Sequence, residues 1–186
     1  PPAKFILMEI IFMVKRLRKI IDIKEDGSFR LNMKYFKFHY SDKMPSKKLC
    51  DLLGGPVTKK GKEVTKRHKD IAAALQMITE EIILKILNHV HNKTKQDNIV
   101  LSGGVALNSV SNGKILKNTG FKKIWVQPNS SDGGTSMGVA SYIYHALLGK
   151  ERKHTLKDAF LGPSFNTKEV REFLDKRVKD GVIRKM

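Results

Sequence analysis

The sequence is poor in cysteine, and its single residue of this type, Cys50, excludes two classes of small protein. A scaffold of internal disulfides needs paired cysteines, and a cysteine-based zinc site needs several of them. We expect Cys50 to be a small, half-buried residue beside Leu49 and Leu52 rather than a catalytic thiol. Such sparing use of cysteine is typical of a reducing compartment, so we expect a cytoplasmic protein.

The sequence also lacks a long apolar run. Its most apolar stretch, residues 5–14, is interrupted by Glu9 and is followed by a basic stretch, residues 15–19. A membrane-spanning helix needs about 20 apolar residues, and a signal peptide carries its charges ahead of the apolar core. We therefore expect no membrane association, and we interpret the stretch as a buried helix or strand.

Acidic residues are half as numerous as basic ones, since 18 aspartates and glutamates stand against 36 lysines and arginines, for a net charge of +18. The excess is spread along the chain. Aromatic residues, 8% of the total, do not alternate with the lysines as they do in proteins that stack single-stranded nucleic acid. A lysine-rich source and an anionic partner explain this charge equally well, so nucleic acid is an alternative partner that we do not favour.

The sequence does contain a strand, a glycine turn and a helix, repeated once within residues 98–140. In the first repeat, a short apolar run at residues 99–101 predicts a buried strand that ends at the Gly103-Gly104 turn. Residues 105–118 have helical composition, and Gly120 stands where a left-handed helix cap is expected.

The second repeat has the same order. Residues 124–126 predict a strand, residues 129–134 a glycine loop, and residues 135–148 a helix ended by Gly149. Both glycine pairs therefore lie where a strand ends and a helix begins. Backbone without a side chain can approach a ligand closely at such a point, and the free N–H groups of a helix start favour anions.

A long helix is predicted upstream of these repeats, over residues 69–92, because apolar residues recur at steps of three and four. The residues of this stripe are Ile71, Leu75, Ile78, Ile82 and Ile86. Arg67 and His68 precede the helix, and they either reach a phosphate in a cleft or form a solvated helix start without a function.

The flanking segments carry weaker signals. Residues 25–28 predict a turn, and we expect the aromatic residues Tyr35, Phe36 and Phe38 to pack under a sheet. Residues 41–66 are rich in loop-forming residues, and residues 150–157 read as a polar linker. Asn166 with Glu169 predicts the N-terminal cap of a last helix.

The order of several short segments resembles the carbamoyltransferase family that includes the nodulation carbamoyltransferases and the antibiotic O-carbamoyltransferases. The segments are EDGSFRLNMKYFKFH (25–39), RHKDIAAALQ (67–76), SGGVALNSVSNGK (102–114), WVQP (125–128), SDGGTSMGVA (131–140) and LGPSF (161–165). A single Gly-Gly turn would be weak evidence, but so many segments in one order make a specific match, which runs from about residue 22 to about residue 174.

The resemblance implies an α/β fold, namely the second lobe of an actin-like ATPase fold of the sugar-kinase and Hsp70 type, three-layered with a mixed sheet. It is related to the tRNA threonylcarbamoyl transferases. We expect residues 1–65 to form the N-terminal part of this lobe, residues 66–150 its nucleotide-binding core, and residues 151–186 a linker and the start of a further domain. In the family that further domain makes carbamoyl-adenylate from carbamoyl phosphate and ATP.

The resemblance also implies a site. Gly103, Gly104 and Asn108 match the turn that contacts adenosine, and Asp132 matches a ligand of a divalent metal, iron or magnesium. Gly133 and Gly134 would leave room for the nucleotide beside that carboxylate. The structural alternative for Asp132 is a loop aspartate that caps a helix. Family members add histidine ligands and a phosphate loop from another lobe, so we expect this chain alone to be incomplete and inactive.

Two hypotheses follow from the sequence. The first is an enzyme part that binds carbamoyl-adenylate and a metal and transfers the carbamoyl group to a hydroxyl of a small-molecule acceptor. The alternative is a non-catalytic, basic nucleotide- or RNA-binding module that has kept the fold, like the tRNA-modifying relatives.

Overall fold

Six helices and four strands follow one another in an α/β order in the computed structural model, which describes residues 3–42, 44–58, 61–153, 155–156, 160 and 162–181. The helices are α1 (Ala3–Leu17), α2 (Lys47–Leu52), α3 (Lys66–Thr94), α4 (Ser109–Asn118), α5 (Thr135–Tyr142) and α6 (Thr167–Lys179). The strands are β1 (Ile21–Ile23), β2 (Phe29–Leu31), β3 (Asn98–Leu101) and β4 (Lys123–Val126). Short 3₁₀ turns lie at Met33–Tyr35, Gly104–Leu107 and Asp132–Gly134, and a π-helical turn at Ile143–Leu147.

The described strands form two separate two-stranded sheets, with β1 antiparallel to β2 and β3 parallel to β4. The α/β class is thus confirmed, whereas the second lobe of an actin-like fold, with three layers and a mixed sheet, stays a prediction. The chain divides into two compact units, residues 1–132 and residues 133–186. The predicted division into residues 1–65, 66–150 and 151–186 also stays a prediction.

The long helix is confirmed, and it extends a few residues beyond residues 69–92 at both ends. Its start is held by a capping box, in which the backbone N–H of Thr65 donates to Nδ1 of His68 at 3.0 Å. Its end is marked by Lys95, whose φ of 56° lies in the left-handed region. These caps satisfy backbone groups at both ends, and between them the helix is continuous past both cores of the first unit.

The first core forms where α1 packs against α3. Residues 5–14 lie within α1, so the helical alternative expected for this stretch is confirmed. The expected burial is largely wrong, because Leu7, Met8, Ile11 and Phe12 are exposed, and among the described side chains of the stretch Met13 alone is buried. The buried residues of this core are Met13, Leu17, Ile20, Leu49, Ala74, Ile78 and Ile82. The prediction of an apolar stripe facing the core is wrong for two of its residues, because Leu75 is 54% exposed and Ile86 is 38% exposed. Ala74, which occupies the i, i+4 row with Ile78 and Ile82, takes the place of Leu75.

The β1–β2 hairpin lies beside this core, and the turn predicted at residues 25–28 joins its strands. Gly27 has φ 84°, and a Cβ atom built on it would stand 2.5 Å from the backbone N of Ile86 on α3. Only glycine therefore fits where the turn touches the helix. Of the three aromatic residues expected to be packed, Tyr35 and Phe36 are half-buried against the first core, but Phe38 is 48% exposed.

The second core lies between α3, α4 and the parallel strands. Its buried residues are Leu87, Ile115 and Phe121, with Ile115 fully buried. β3 and β4 pair in register from Asn98 opposite Lys123 to Leu101 opposite Val126, so both predicted strands are confirmed. The expected burial of the first strand is wrong for one of its faces, because Val100 is 64% exposed. Because β3, α4 and β4 form a strand–helix–strand unit, the two strands present their carboxyl ends at the same sheet edge.

Two expectations near α4 are wrong. The helix predicted over residues 105–118 is interrupted at Asn108, which separates a 3₁₀ turn from α4. Gly120 does not take the left-handed conformation. A Cβ atom at Gly120 would lie 2.1 Å from Cε1 of His91, whose ring packs edge-on against Phe121. The glycine is needed there because a neighbouring ring fills the space, not because the backbone turns.

The second unit contains α5, its π-helical continuation and α6. Gly149, with φ 59°, follows the π-helical turn, as expected for the end of this helix. The cap predicted for α6 is confirmed, since Oδ1 of Asn166 accepts the backbone N–H of Glu169 at 3.0 Å and Glu169 returns a bond to the N–H of Asn166. The predicted linker at 150–157 and the LGPSF segment lie partly outside the described residues. Among the described residues, no helix is both long and apolar enough to cross a bilayer.

Candidate functional site

The first glycine turn and the start of the second loop lie side by side at the carboxyl ends of β3 and β4. Leu101 pairs with Val126, and the N–H of Gln127 donates to the carbonyl of Leu101 at 3.2 Å. One step further along, the N–H of Gly103 donates to the carbonyl of Ser130 at 2.8 Å. These bonds bring the two segments together where open α/β sheets bind their ligands.

The backbone of the glycine turn is uncovered. Gly103 has φ 96°, a conformation that side chains rarely adopt, and no described atom lies within 4 Å of the place a Cβ would take. At Gly104 the nearest atom to that place is Oγ of Ser131, at 3.8 Å, an ordinary contact. Both glycines are exposed, so the surface of this turn is accessible, although the N–H and the carbonyl of Gly103 are already hydrogen-bonded to Ser130 and Ala106.

Asn108 ends the turn and caps α4. Its Oδ1 accepts the backbone N–H of Ser111 at 3.1 Å, the usual arrangement of an N-terminal cap. The rest of its amide pairs with the amide of Gln76 on α3, with Nδ2 donating to Oε1 at 2.9 Å and Oδ1 accepting from Nε2 at 3.2 Å. The prediction that Asn108 contacts adenosine stays untested, and the structure gives its side chain a role inside the protein.

Gln76 belongs to a polar cluster between α3 and α4 that sequence reasoning missed. Its Nε2 lies 2.9 Å from Oε1 of Glu80 and 3.3 Å from Oγ of Ser111, and Glu80 is also paired with Lys114. Burial acts against ionisation of Glu80, but the hydrogen bonds from Lys114 and Gln76 outweigh it and hold the pKa of this carboxyl below its usual value. The one sequence feature that could have indicated a role for Gln76 is its position as the last residue of the RHKDIAAALQ segment, which belongs to the family resemblance.

Asp132 lies exposed at the start of a 3₁₀ turn, directly after the segment that contacts Gly104. Across the described part of the chain, no three histidine, cysteine, aspartate or glutamate side chains are grouped closely enough to hold a metal ion. One carboxylate is too few for a divalent cation, which takes about six oxygen ligands. The residues described here therefore do not by themselves form a metal site, and the assignment of Asp132 as a ligand stays a prediction.

Gly133 and Gly134 open the second unit. The carbonyl of Gly133 accepts the hydroxyl of Ser136 at 3.3 Å, and α5 begins at the next residue after Gly134. This confirms that the second glycine pair lies at a helix start. Their predicted contact with a nucleotide stays untested.

Arg67 and His68 belong to the first turn of α3 rather than preceding it. The guanidinium of Arg67 donates to three carbonyls of one loop, those of Leu53 at 3.3 Å, Gly55 at 3.1 Å and Pro56 at 2.9 Å. His68 is occupied by the capping box. Arg67 therefore holds the 53–56 loop against the helix, while Nε2 of His68 lies 2.5 Å from Oγ1 of Thr58. Both residues thus have structural contacts, and the suggested phosphate contact stays a prediction.

Comparison with known proteins places this arrangement in a sequence family. The family model described as carbamoyltransferase N-terminus matches residues 12–141, which include both glycine pairs.

The chain is 40% identical to the uncharacterized protein sll1178 of Synechocystis over 162 residues, 85% of this chain and 26% of that protein. It is 34% identical to the nodulation protein NolO of Bradyrhizobium diazoefficiens over 62% of this chain and 21% of that protein. The nodulation protein NolNO of Sinorhizobium fredii is also 34% identical, over 60% of this chain and 16% of that protein. The chain thus spans about a quarter or less of the length of the relatives it matches.

Proposed function

Because the chain belongs to the carbamoyltransferase N-terminal domain family, we propose that it is part of an O-carbamoyltransferase that uses carbamoyl-adenylate and a small-molecule hydroxyl acceptor. In this proposal the chain forms the second lobe of an actin-like fold and works in the cytoplasm. Carbamoyl phosphate and ATP are consumed in a further domain, which makes the adenylate.

The observation that carries this proposal is the uncovered turn at the carboxyl end of β3. The N–H of Gly103 is bonded to the carbonyl of Ser130, and space is open around Gly103 and Gly104. A planar adenosine group could therefore approach the peptide groups of the turn closely. The net charge of +18 adds a general attraction for an anionic adenylate, since a strongly basic surface raises the local concentration of anions.

The reaction in this proposal is an acyl transfer. The acceptor hydroxyl oxygen forms a bond to the carbamoyl carbon, the bond from that carbon to the phosphate oxygen breaks, and AMP leaves while the hydroxyl loses its proton. The contribution of this chain is to bind and orient the adenosine end, because orientation of the two reactants supplies much of the rate of such a step. A divalent metal would polarise the carbonyl, and Asp132 could supply one of its ligands.

Replacing Gly104 with valine tests the nucleotide assignment. The Cβ has room in the folded protein, since its nearest neighbour is 3.8 Å away, but the branched side chain would stand over the turn. We expect Gly104→Val in the full-length protein that carries this sequence to weaken AMP binding by roughly tenfold or more, because forcing a larger side chain into a packed contact typically costs about 1–3 kcal/mol. Calorimetric titration of AMP measures this change.

Gly113→Val is the matched control, because no described atom lies within 4 Å of a Cβ at this exposed position in α4. It should leave AMP affinity unchanged. Equal affinity in both variants and the wild type would contradict a nucleotide site at this turn. AMP binding without any carbamoyl transfer by the wild-type protein would instead favour the non-catalytic, basic nucleotide-binding module.

A further inference from the structure

The amide of Gln76 is shared among three acceptors at the junction of α3 and α4. Nε2 lies 2.9 Å from Oε1 of Glu80, 3.2 Å from Oδ1 of Asn108 and 3.3 Å from Oγ of Ser111. A glutamine amide has two N–H donors, so the two shorter contacts use both of them. Its Oε1 accepts from Nδ2 of Asn108 at 2.9 Å, which makes the two amides a reciprocal pair.

This pair is the link from the long helix to the glycine turn. Asn108 is the last residue of the turn, and its backbone N–H donates to the carbonyl of Val105 at 3.0 Å. Within the turn, the N–H of Ala106 donates to the carbonyl of Gly103 at 3.0 Å, and the carbonyl of Ala106 accepts from Nδ2 of Asn112 at 2.7 Å. A shift of the Asn108 side chain would therefore move the backbone that leads directly to Gly103.

The surroundings make the pair hard to replace by water. Gln76 and Asn108 are half-buried, Ser111 is 2% exposed, and the Glu80 side chain is 12% exposed. Removing one partner in such a place leaves the other with an unsatisfied polar group, which costs more than the bond itself contributes. Only a side chain that donates to Glu80 and Asn108 while also accepting from Asn108 meets all these demands.

We propose that Gln76 is a positioning residue for the glycine turn: its amide holds Asn108 against α3 and thereby sets where the backbone of Gly103–Leu107 lies. The side chain does not need to touch a ligand for this. The effect on a nucleotide rests on the proposed function, whereas the effect on the turn backbone does not.

The experiment uses two Gln76 variants of the full-length protein that carries this sequence. Gln76→Leu removes both donor and acceptor, and Gln76→Glu keeps the shape and the acceptors but loses the donor. Hydrogen–deuterium exchange over residues 102–110 should rise roughly fivefold to tenfold in both variants at pH 8, the change expected for losing about one net hydrogen bond. AMP should bind more weakly by a similar factor, and KM for the adenylate should rise with little change in kcat.

A pH series separates hydrogen bonding from mere packing. In Gln76→Glu the new carboxylate faces Glu80 on the same helix and Lys114 from α4. Two adjacent carboxylates raise the pKa of one of them, so a proton should be taken up as the pH falls. The proton restores a donor, and the loss of protection relative to wild type should therefore shrink between pH 8 and pH 5. Gln76→Leu should show no such recovery.

Asn88→Leu is the control for general loosening of the two helices. Nδ2 of Asn88 donates to the carbonyl of Asn118 at 3.1 Å and so joins α3 to the opposite end of α4. This variant should lower the melting temperature without changing exchange at residues 102–110 or AMP affinity. Unchanged exchange there in both Gln76 variants would overturn the positioning role. If wild-type protein fails to bind AMP, the proposed function fails, and the exchange data still decide the role of Gln76.

Discussion

Replacing Gly27 with alanine should disrupt the contact between the β1–β2 hairpin and α3 and so destabilise the protein. The added Cβ would stand 2.5 Å from the backbone N of Ile86, 2.6 Å from its Cγ1 and 3.0 Å from the carbonyl oxygen of Ile82. Two of these three atoms belong to the helix backbone, so a change of side-chain rotamer cannot make room. Either the turn must lift off the helix or the helix must bend away from it.

The size of the loss has two parts. An alanine at φ 84° costs about 1–2 kcal/mol, because its Cβ clashes with its own backbone in the left-handed region. Forcing extra volume into a packed contact costs a further 1–3 kcal/mol or so. We therefore expect Gly27→Ala to reduce the free energy of unfolding by about 2–5 kcal/mol.

Comparison with Gly61→Ala separates the cost of the packing clash from the cost of the backbone conformation. Gly61 has φ 83°, nearly the same as Gly27, but no described atom lies within 4 Å of its Cβ position. Both substitutions also restrict the unfolded chain equally, so that effect cancels between them. Urea denaturation of the 186-residue chain, followed by far-ultraviolet circular dichroism, should give Gly27→Ala the lower stability by about 1–3 kcal/mol. Equal losses in the two variants would refute the close approach of the turn to α3.

Three further predictions concern other parts of the chain. Because its pKa is lowered in the folded protein, ionised Glu80 adds to the free energy of unfolding above the usual glutamate pKa, and this contribution is lost as the pH falls through the folded-state pKa. A pH series of urea midpoints should therefore show a steeper loss of stability below about pH 4 in wild type than in Glu80→Gln. Gly120→Ala should destabilise the chain by about 1–3 kcal/mol by displacing His91, and His91→Ala in the same chain should restore part of this, whereas additive losses in the double variant would contradict the clash. Titration of Mg²⁺ or Fe²⁺ into the 186-residue chain should show no tight binding that depends on Asp132, and one-to-one binding abolished by Asp132→Asn would prove a complete site.

The local features of this fold were readable from the sequence because neighbouring residues determine them. The apolar runs of β3 and β4, the turn before Phe29 and the cap formed by Asn166 and Glu169 all lie where the pattern put them. Each of these depends on residues only a few positions apart. The same holds for the long helix α3, whose periodicity extends over many turns.

The features that the sequence predicted wrongly, or did not predict, depend on contacts between residues far apart in the chain. Gly120 resembles a helix cap in the sequence, but it is required by His91, nearly thirty residues upstream, whose ring occupies the adjacent space. Arg67 looks like a free cation beside a cleft, and its bonds to the 53–56 loop depend on where that loop folds. The partnership of Gln76 with Asn108 spans two helices in the same way. The site residues taken from the family resemblance could be located in the structure, but their ligand contacts stay predictions.

The number of residues in α3 between its two core contacts determines where the chain tolerates insertions and deletions. Ile82 belongs to the first core and Leu87 to the second, and at 100° per residue their side chains point about 140° apart around the helix axis. Inserting or deleting one residue between them would turn one contact face about 100° away from its core while the other stayed in place. Homologous chains of different length should therefore differ in the segments before Lys66 or after Thr94, and an insertion scan should find the middle of this helix to be its least permissive part.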